Sequence, residues 1–248
     1  MVNWVNAKVK EIKNWTNTLF SLRLEAEIND FNAGQFAKIA QEINGKRIQR
    51  AYSYVNAPKD SLLEFYIAKI PEGKMSPYLH SLHAGDVVQI SKNGFGFFVL
   101  SKIPDCNTLW MLATGTAIGP YLSILQQGDD LNRFNNIVLV HAVRYNTELS
   151  FLLLMKNLQQ NYLGKLHIQT IVSREYSDYS LHGRIPQLIR NGKLERNIGL
   201  SIDPENSHVM LCGNPQMVYD THLLLKETRY MNQHLEHKPG HISSERYW

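Results

Sequence analysis

The hydrophobic period of this chain changes near residue 100, and that change limits the fold more than any single motif does. Before it, short segments alternate apolar and polar residues: 20–24, 47–55, 63–68 and 87–90. A period of two marks half-buried strands. Turn chemistry separates them, as at Asn44-Gly45 and Ala57-Pro58-Lys59-Asp60. Several such strands in the first 100 residues predict a closed antiparallel barrel, with one helix over 76–82 that ends before Gly85-Asp86. After Asn107, continuous apolar runs take over at 109–113, 137–142, 166–172 and 208–212. Strands covered on both faces have this pattern. The stretches at 123–127, 151–162 and 215–230 supply the covering helices, so an α/β domain with a parallel sheet follows. Residues 101–105 are the predicted linker.

With 248 residues, each domain can bury its own core. A composition of 44% hydrophobic and 19% charged residues predicts that the whole chain folds. The net charge of +4 is too small to suggest nucleic acid, and neither zinc-finger spacing nor zipper heptads occur. The first eight residues lack the apolar core of a secretory signal. The apolar stretch 109–125 is broken by Thr114, Gly115, Thr116, Gly119 and Pro120, so no membrane span is expected and the cytoplasm is the expected location. Cys106 and Cys212 stand far apart, which argues against a disulfide scaffold or an iron–sulfur cluster. The pairs His80/His83 and His234/His237 lack supporting carboxylates, so no metal is expected.

Arg50-Ala51-Tyr52-Ser53-Tyr54 lies in one of the alternating segments. Alternation puts Arg50, Tyr52 and Tyr54 on one face and Ser53 on the other. A guanidinium can fork onto a phosphate while a phenol ring stacks on a planar heterocycle. The same residues also suit an ordinary barrel strand. Gly73-Lys74-Met75-Ser76 opens the predicted helix, where free amides can hold an anion, and a pyrophosphate between this turn and Arg50 is the expectation.

Residues 113–120 follow an apolar strand and precede a helix, which is where an open α/β sheet binds its ligand. The run is similar to a Rossmann dinucleotide turn with Ala117 in place of the second glycine. Gly115 and Ala117 allow a pyrophosphate or flavin edge to approach the backbone, and Thr116 adds a hydroxyl. A site for NAD usually ends its second strand in an acidic residue. Here that strand ends in Val143-Arg144-Tyr145, the third runs into Ser173-Arg174, and Arg184 follows Gly183. Arginines at these strand ends suit a ligand with more phosphate than NAD carries.

Cys212-Gly213-Asn214-Pro215-Gln216-Met217 closes the last apolar strand and opens the last long helix. Without an evident partner base, Cys212 is expected to shape a nicotinamide pocket rather than to attack. The final residues are Glu245-Arg246-Tyr247-Trp248. A terminal ring can cover a flat cofactor and swing aside, and Glu245 is a candidate proton-handling or nicotinamide-positioning carboxylate.

In combination these runs resemble the bacterial ferredoxin/flavodoxin–NADP⁺ reductases over essentially the whole chain. Arg50-x-Tyr52-Ser53 looks like that family's flavin motif and Gly115-Thr116-Ala117 like its nicotinamide-domain turn. Cys212-Gly213-Asn214-Pro215 looks like its final-strand motif, and Tyr247-Trp248 like the end of the bacterial subclass. The turn carries Ala117 and Gly119 where other members show glycine and alanine; both remain small.

The resemblance implies two domains: an FAD-binding antiparallel β-barrel over 1–100, and an NADP-binding, Rossmann-like α/β domain over 101–248 whose C-terminal tail returns to the flavin. It implies non-covalent FAD, with Arg50, Lys74, Met75 and Ser76 at the pyrophosphate, Tyr52 on the isoalloxazine and Ser53 near its N5. Ala51, Tyr66, Ile67, Ala68, Lys69, Thr116 and Tyr247 complete the flavin set, and Trp248 stacks on the ring opposite Tyr52 until nicotinamide displaces it. The implied NADP set is Val143, Arg144, Ser173, Arg174 and Arg184, with Asn214, Pro215, Gln216 and Asp220 nearby. Ser53, Cys212, Glu245 and Trp248 are the implied catalytic group.

The implied reaction is hydride transfer between NADPH and FAD N5, followed by single-electron transfer to flavodoxin or ferredoxin. The expected form is a monomer without membrane or nucleic-acid partners. Rival readings are a related NAD(P)H-dependent flavin or ferric reductase and a non-catalytic flavin-binding electron-transfer subunit.

Overall fold

Alternation in the first 100 residues becomes six strands in a computed structural model that describes residues 2–247. They are β1 (Trp4–Asn14), β2 (Leu19–Glu25), β3 (Phe36–Ile43), β4 (Lys46–Ser53), β5 (Leu63–Ala68) and β6 (Val87–Ser91). The antiparallel order is β4-β3-β6-β1-β2-β5. Just beyond β4, an isolated bridge joins Tyr54 to Phe65 of β5, and the Val55 amide donates to Glu64 O at 2.9 Å. The two sheet edges therefore meet over a short stretch, and the barrel closes there. Phe20, Leu22, Leu24, Ile39, Phe65, Ile67, Val88 and Ile90 fill it.

Asn44-Gly45 forms the two-residue turn between β3 and β4, with φ of 52° and 69°. Two successive positive φ values are those of the tight hairpin turn that matches strand twist. The turn pairs Ile43 with Lys46 and carries the register to Ile39↔Arg50 and Phe36↔Ser53. Helix α1 (Met75–His80) starts and ends slightly earlier than the sequence suggests and packs on β2 and β4.

The apolar runs become a second sheet: β7 (Thr108–Thr114), β8 (Asn136–Val143), β9 (Leu166–Val172), β10 (Leu181–His182), β11 (Ser207–Gly213) and β12 (Ile242–Arg246). All pairings are parallel, in the order β10-β9-β8-β7-β11-β12. The chain winds outward from β7 to β10, then returns to the other side of β7 to place β11 and β12. The direction of winding thus reverses between β7 and β11, and crevices that bind ligands open at the carboxyl ends of such a pair. Five further helices follow: α2 (Gly119–Gln127), α3 (Leu152–Asn161), α4 (Ile185–Arg190), α5 (Lys193–Ile198) and α6 (Pro215–Arg229). Ile185, Leu188, Leu224 and Leu225 from α4 and α6 cover Trp110, Leu112, Val138, Val140, Val209 and Leu211 on one sheet face. No helix among the described residues is long and apolar enough to cross a membrane.

By contact the chain divides into one unit of residues up to 100 together with 119–128, and a second of 101–118 together with the residues from 129 onward. The sequence reading gave all of 101–248 to the α/β domain, so α2 is a departure from it. The cause is local polar pairing. Ser123 Oγ donates to Asn56 O at 2.6 Å and Gln126 Nε2 to Val55 O at 2.7 Å, satisfying carbonyls just past the end of β4.

Candidate functional site

In the first unit, the run at 50–54 divides by function. Arg50 is exposed, and its guanidinium donates to the adjacent Gln49 carbonyl at 2.8 Å. Ala51 is exposed opposite Lys38, and Ser53 is half-buried opposite Phe36. Tyr52 is half-buried against the barrel core, and burial pushes its phenol up. Tyr54 shares the core-facing side with Tyr52, as alternation predicts, but is wholly buried there and stacks on Phe31, ring centroids 3.7 Å apart and 17° from parallel.

On the adjacent strand Tyr66 and Ile67 are buried, whereas Ala68 and Lys69 are half-buried. Ile67 is committed to the core, so only its backbone can face a ligand. Lys69 Nζ lies 3.4 Å from His80 Nδ1, and burial, then the Lys69 charge, lowers the His80 pKa. Lys74 is exposed where α1 begins, and no side chain caps that helix. Met75 lies in the barrel core, and Ser76 Oγ accepts from the Ile70 amide at 3.0 Å. The turn therefore offers backbone amides rather than a free hydroxyl.

In the second unit, the ends of β7 and β11 lock together. Thr114 Oγ1 accepts from the Asn214 amide at 2.8 Å. Gly213 has φ of +130°, and a Cβ there would stand 2.2 Å from the same Oγ1. Glycine is required on both counts. Asn214 Oδ1 accepts from the Gln216 and Met217 amides at 3.0 and 3.2 Å, capping α6, and Pro215 takes the first helical position. Gln216 Nε2 donates to Asp220 Oδ1 at 2.7 Å. The side chains of Asn214, Gln216 and Asp220 thus serve the helix itself.

Parallel register places Glu245, Cys212, Ala113, His141 and Thr170 in one row across the sheet. Burial, then the Glu245 charge, raises the Cys212 thiol pKa well above its ordinary value, against a lowering hydrogen bond from Tyr247. The thiol stays protonated at neutral pH and is no nucleophile. The Tyr247 amide donates to Gly213 O at 2.9 Å, so the tail is tied to β11 as far as the described residues run. Trp248, the ring expected to cover the flavin, lies outside the described residues.

Burial pushes the half-buried Glu245 up to about 7, from an ordinary 4.5. Between these values the folded chain keeps a proton that the unfolded chain has released. Glu245 therefore lowers stability progressively as pH rises from 4.5 to about 7, and by a constant amount above that. Wild type should lose urea resistance relative to Glu245→Gln between pH 5 and 8; parallel profiles would contradict the buried carboxyl.

At the far side of the sheet, Val143 is buried at the end of β8 and Ser173 Oγ donates to its carbonyl at 3.2 Å. Arg144 is exposed but engaged: its amide, Nε and Nη2 all donate to Glu148, at 2.9, 3.1 and 2.7 Å. Sequence reasoning counted Arg144 with the phosphate cations and missed Glu148, whose four-residue spacing was the available signal. Arg174 and Arg184 differ, being exposed and making no ion pair with a described carboxylate. Arg174 lies 5.8 Å from the Tyr145 ring centroid, and Arg184 immediately precedes α4. Two of the three arginines remain available to a phosphate.

Residues 5–95 match the family model described as an oxidoreductase FAD-binding domain, and residues 111–223 match that of an oxidoreductase NAD-binding domain. Flavodoxin/ferredoxin–NADP reductases of Shigella flexneri and Escherichia coli strain K12 are 60% and 59% identical to the chain, covering 100% of both sequences in each case. The chain belongs to the flavodoxin/ferredoxin–NADP reductase family. A solved ferredoxin NADP⁺ reductase from Neisseria gonorrhoeae, with bound FAD and NADP, has a TM-score of 0.92 and 30% identity, covering 99% of each chain. Membership in the flavodoxin/ferredoxin–NADP reductase family bears out the resemblance read from the runs at 50–53, 115–117 and 212–215, and the two-sheet fold agrees with it.

Proposed function

We propose that the chain is an FAD-containing flavodoxin/ferredoxin–NADP⁺ reductase that transfers hydride between NADPH and FAD N5 and passes electrons singly to flavodoxin or ferredoxin. The observation that carries the NADP assignment is the pair Arg174 and Arg184. Both are exposed without a described carboxylate partner, and Arg174 lies two residues past the end of β9, at the end of the sheet where nucleotides bind. An acidic residue, which would select the ribose hydroxyl of NAD, does not end β8.

The first unit fits a flavin nucleotide: an exposed guanidinium on Arg50 held only by a neighbouring carbonyl among the described residues, a half-buried aromatic face on Tyr52 and an uncapped helix start at Lys74. Bound FAD would supply the conversion of one two-electron transfer into two one-electron transfers. Arg50, Lys74, Met75 and Ser76 would hold its pyrophosphate through cations and amides, with Tyr52 on the isoalloxazine and Ser53 toward its N5. Ala51 and residues Tyr66, Ile67, Ala68 and Lys69 line it, with Thr116, Tyr247 and Trp248 as further flavin residues.

On the nucleotide side, Val143, Ser173, Arg174 and Arg184 receive the phosphate and ribose, and Arg144 shapes its loop through Glu148. The Asn214, Pro215, Gln216 and Asp220 group holds the end of β11 in place. The protonated Cys212 thiol forms a small, uncharged wall for nicotinamide, and Glu245 can hold or release a proton near neutral pH. The chain works as a cytoplasmic monomer.

Steady-state kinetics with flavodoxin or ferredoxin as acceptor test the assignment. Catalytic efficiency should be far higher with NADPH than with NADH. Equal efficiency would contradict it and favour a flavin reductase without 2′-phosphate recognition.

A further inference from the structure

We infer that His141 is a positioning residue for the nicotinamide dinucleotide: its Nε2–H fixes the Gly115–Thr116 peptide so that the Thr116 amide is aimed for donation to the ligand. The inference rests on the NADP reading above. His141 is fully buried in β8, in register with Ala113 of β7 and Thr170 of β9. It interrupts an otherwise apolar stretch from Ile137 to Val143.

Nε2 lies 3.0 Å from Gly115 O. A carbonyl only accepts, so the proton sits on Nε2 and Nδ1 is a bare acceptor. Nδ1 is buried and has no partner. Burial lowers the ring's pKa to about 4, so it is neutral at ordinary pH. An unsatisfied buried acceptor is a net loss of stability that leucine would avoid. What histidine adds at this position is the single bond to Gly115.

That bond sets a direction. Gly115 has φ of +56° and opens the short 3₁₀ turn Gly115–Ile118 directly after β7. No described peptide is cis, and in a planar trans peptide C=O and N–H point opposite ways. With the Gly115 carbonyl drawn to His141, the Thr116 N–H must point away from β8. Thr116 thus becomes a fixed donor in the turn that begins at the carboxyl end of β7, beside the point where the winding reverses. A donor held in advance needs no reorganisation on binding.

Calorimetric titration of the holoprotein with NADP⁺ tests this with His141→Leu, which removes the donor, and His141→Gln, whose amide can restore it. His141→Leu should weaken NADP⁺ binding about tenfold, as expected for loss of one oriented hydrogen bond, without lowering the thermal midpoint. His141→Gln should bind within about threefold of wild type. Unchanged binding by His141→Leu, or an equal loss in both variants, would overturn the inference. A second measurement needs no variant: in protein labelled with ¹⁵N-threonine, the Thr116 amide resonance should move on NADP⁺ saturation. A resonance that stays in place would also overturn it. Wild type that fails to bind NADP⁺ would overturn the site assignment itself.

Discussion

Replacing Arg174 and Arg184 together with alanine should raise the Michaelis constant for NADPH by about 100-fold or more, because each charge-assisted contact is worth roughly 1.5–3 kcal/mol. The constant for NADH, which lacks the 2′-phosphate, should change by no more than about threefold. The double variant should fold normally. Neither guanidinium is paired with a described carboxylate, so removing them strands no acidic partner. Arg144→Ala makes the contrast: it removes the two guanidinium hydrogen bonds to Glu148 and should loosen residues 144–148 more than it alters cofactor choice. Steady-state kinetics with both cofactors decide the matter. An equal rise for NADPH and NADH would remove the arginines from 2′-phosphate recognition.

Gly213→Ala should destabilise the chain by about 3 kcal/mol or more, since it combines a disallowed backbone angle with a clash against the Thr114 hydroxyl and tight contact with its main chain. The new Cβ would sit 2.2 Å from Thr114 Oγ1, and also 3.0 and 3.1 Å from the Thr114 carbonyl and amide. Rotating Thr114 gives little relief, because its hydroxyl accepts the Asn214 amide and the neighbouring backbone atoms cannot rotate away. Gly115→Ala provides the comparison. Its φ is also positive, at +56°, but nothing lies within 4 Å of the added carbon. That substitution should cost only about 1–2 kcal/mol, the strain of a left-handed residue alone. Urea denaturation measures both, and a Gly213→Ala variant no weaker than Gly115→Ala would show that the β7 and β11 ends are not tightly locked.

Where the sequence predicts the structure well, a short-range physical rule decides the outcome. The change from period-two segments to apolar runs yields the two sheets, because burial on one face or on both imposes those patterns directly. Asn44-Gly45 fixes a hairpin register by its own backbone preference. The positions of the Gly115 turn and of Asn214 follow from their places at strand ends. Side-chain availability is less legible, since it depends on partners that folding brings close. Arg144 and Arg174 look alike in sequence, yet one is held by Glu148 and the other is not.

Strand β12 escapes notice because Ile242 is its only apolar residue, and its place comes from pairing with the backbone of β11. Tyr54 follows the alternation, but its full burial under Phe31 depends on a loop residue that folding brings close. Helix α2 joins the first unit through two side-chain hydrogen bonds that no periodicity encodes. His141 reads as one more member of an apolar run, and only its 3.0 Å approach to Gly115 O distinguishes it.

The most direct measurement is the visible absorption spectrum of the purified chain under anaerobic conditions, before and after one equivalent of NADPH. The account predicts a bound-flavin spectrum that NADPH bleaches promptly, that NADH bleaches far more slowly, and that returns when oxidised flavodoxin or ferredoxin is added. A chain that carries no flavin, or a flavin spectrum that NADPH leaves unchanged, would contradict it.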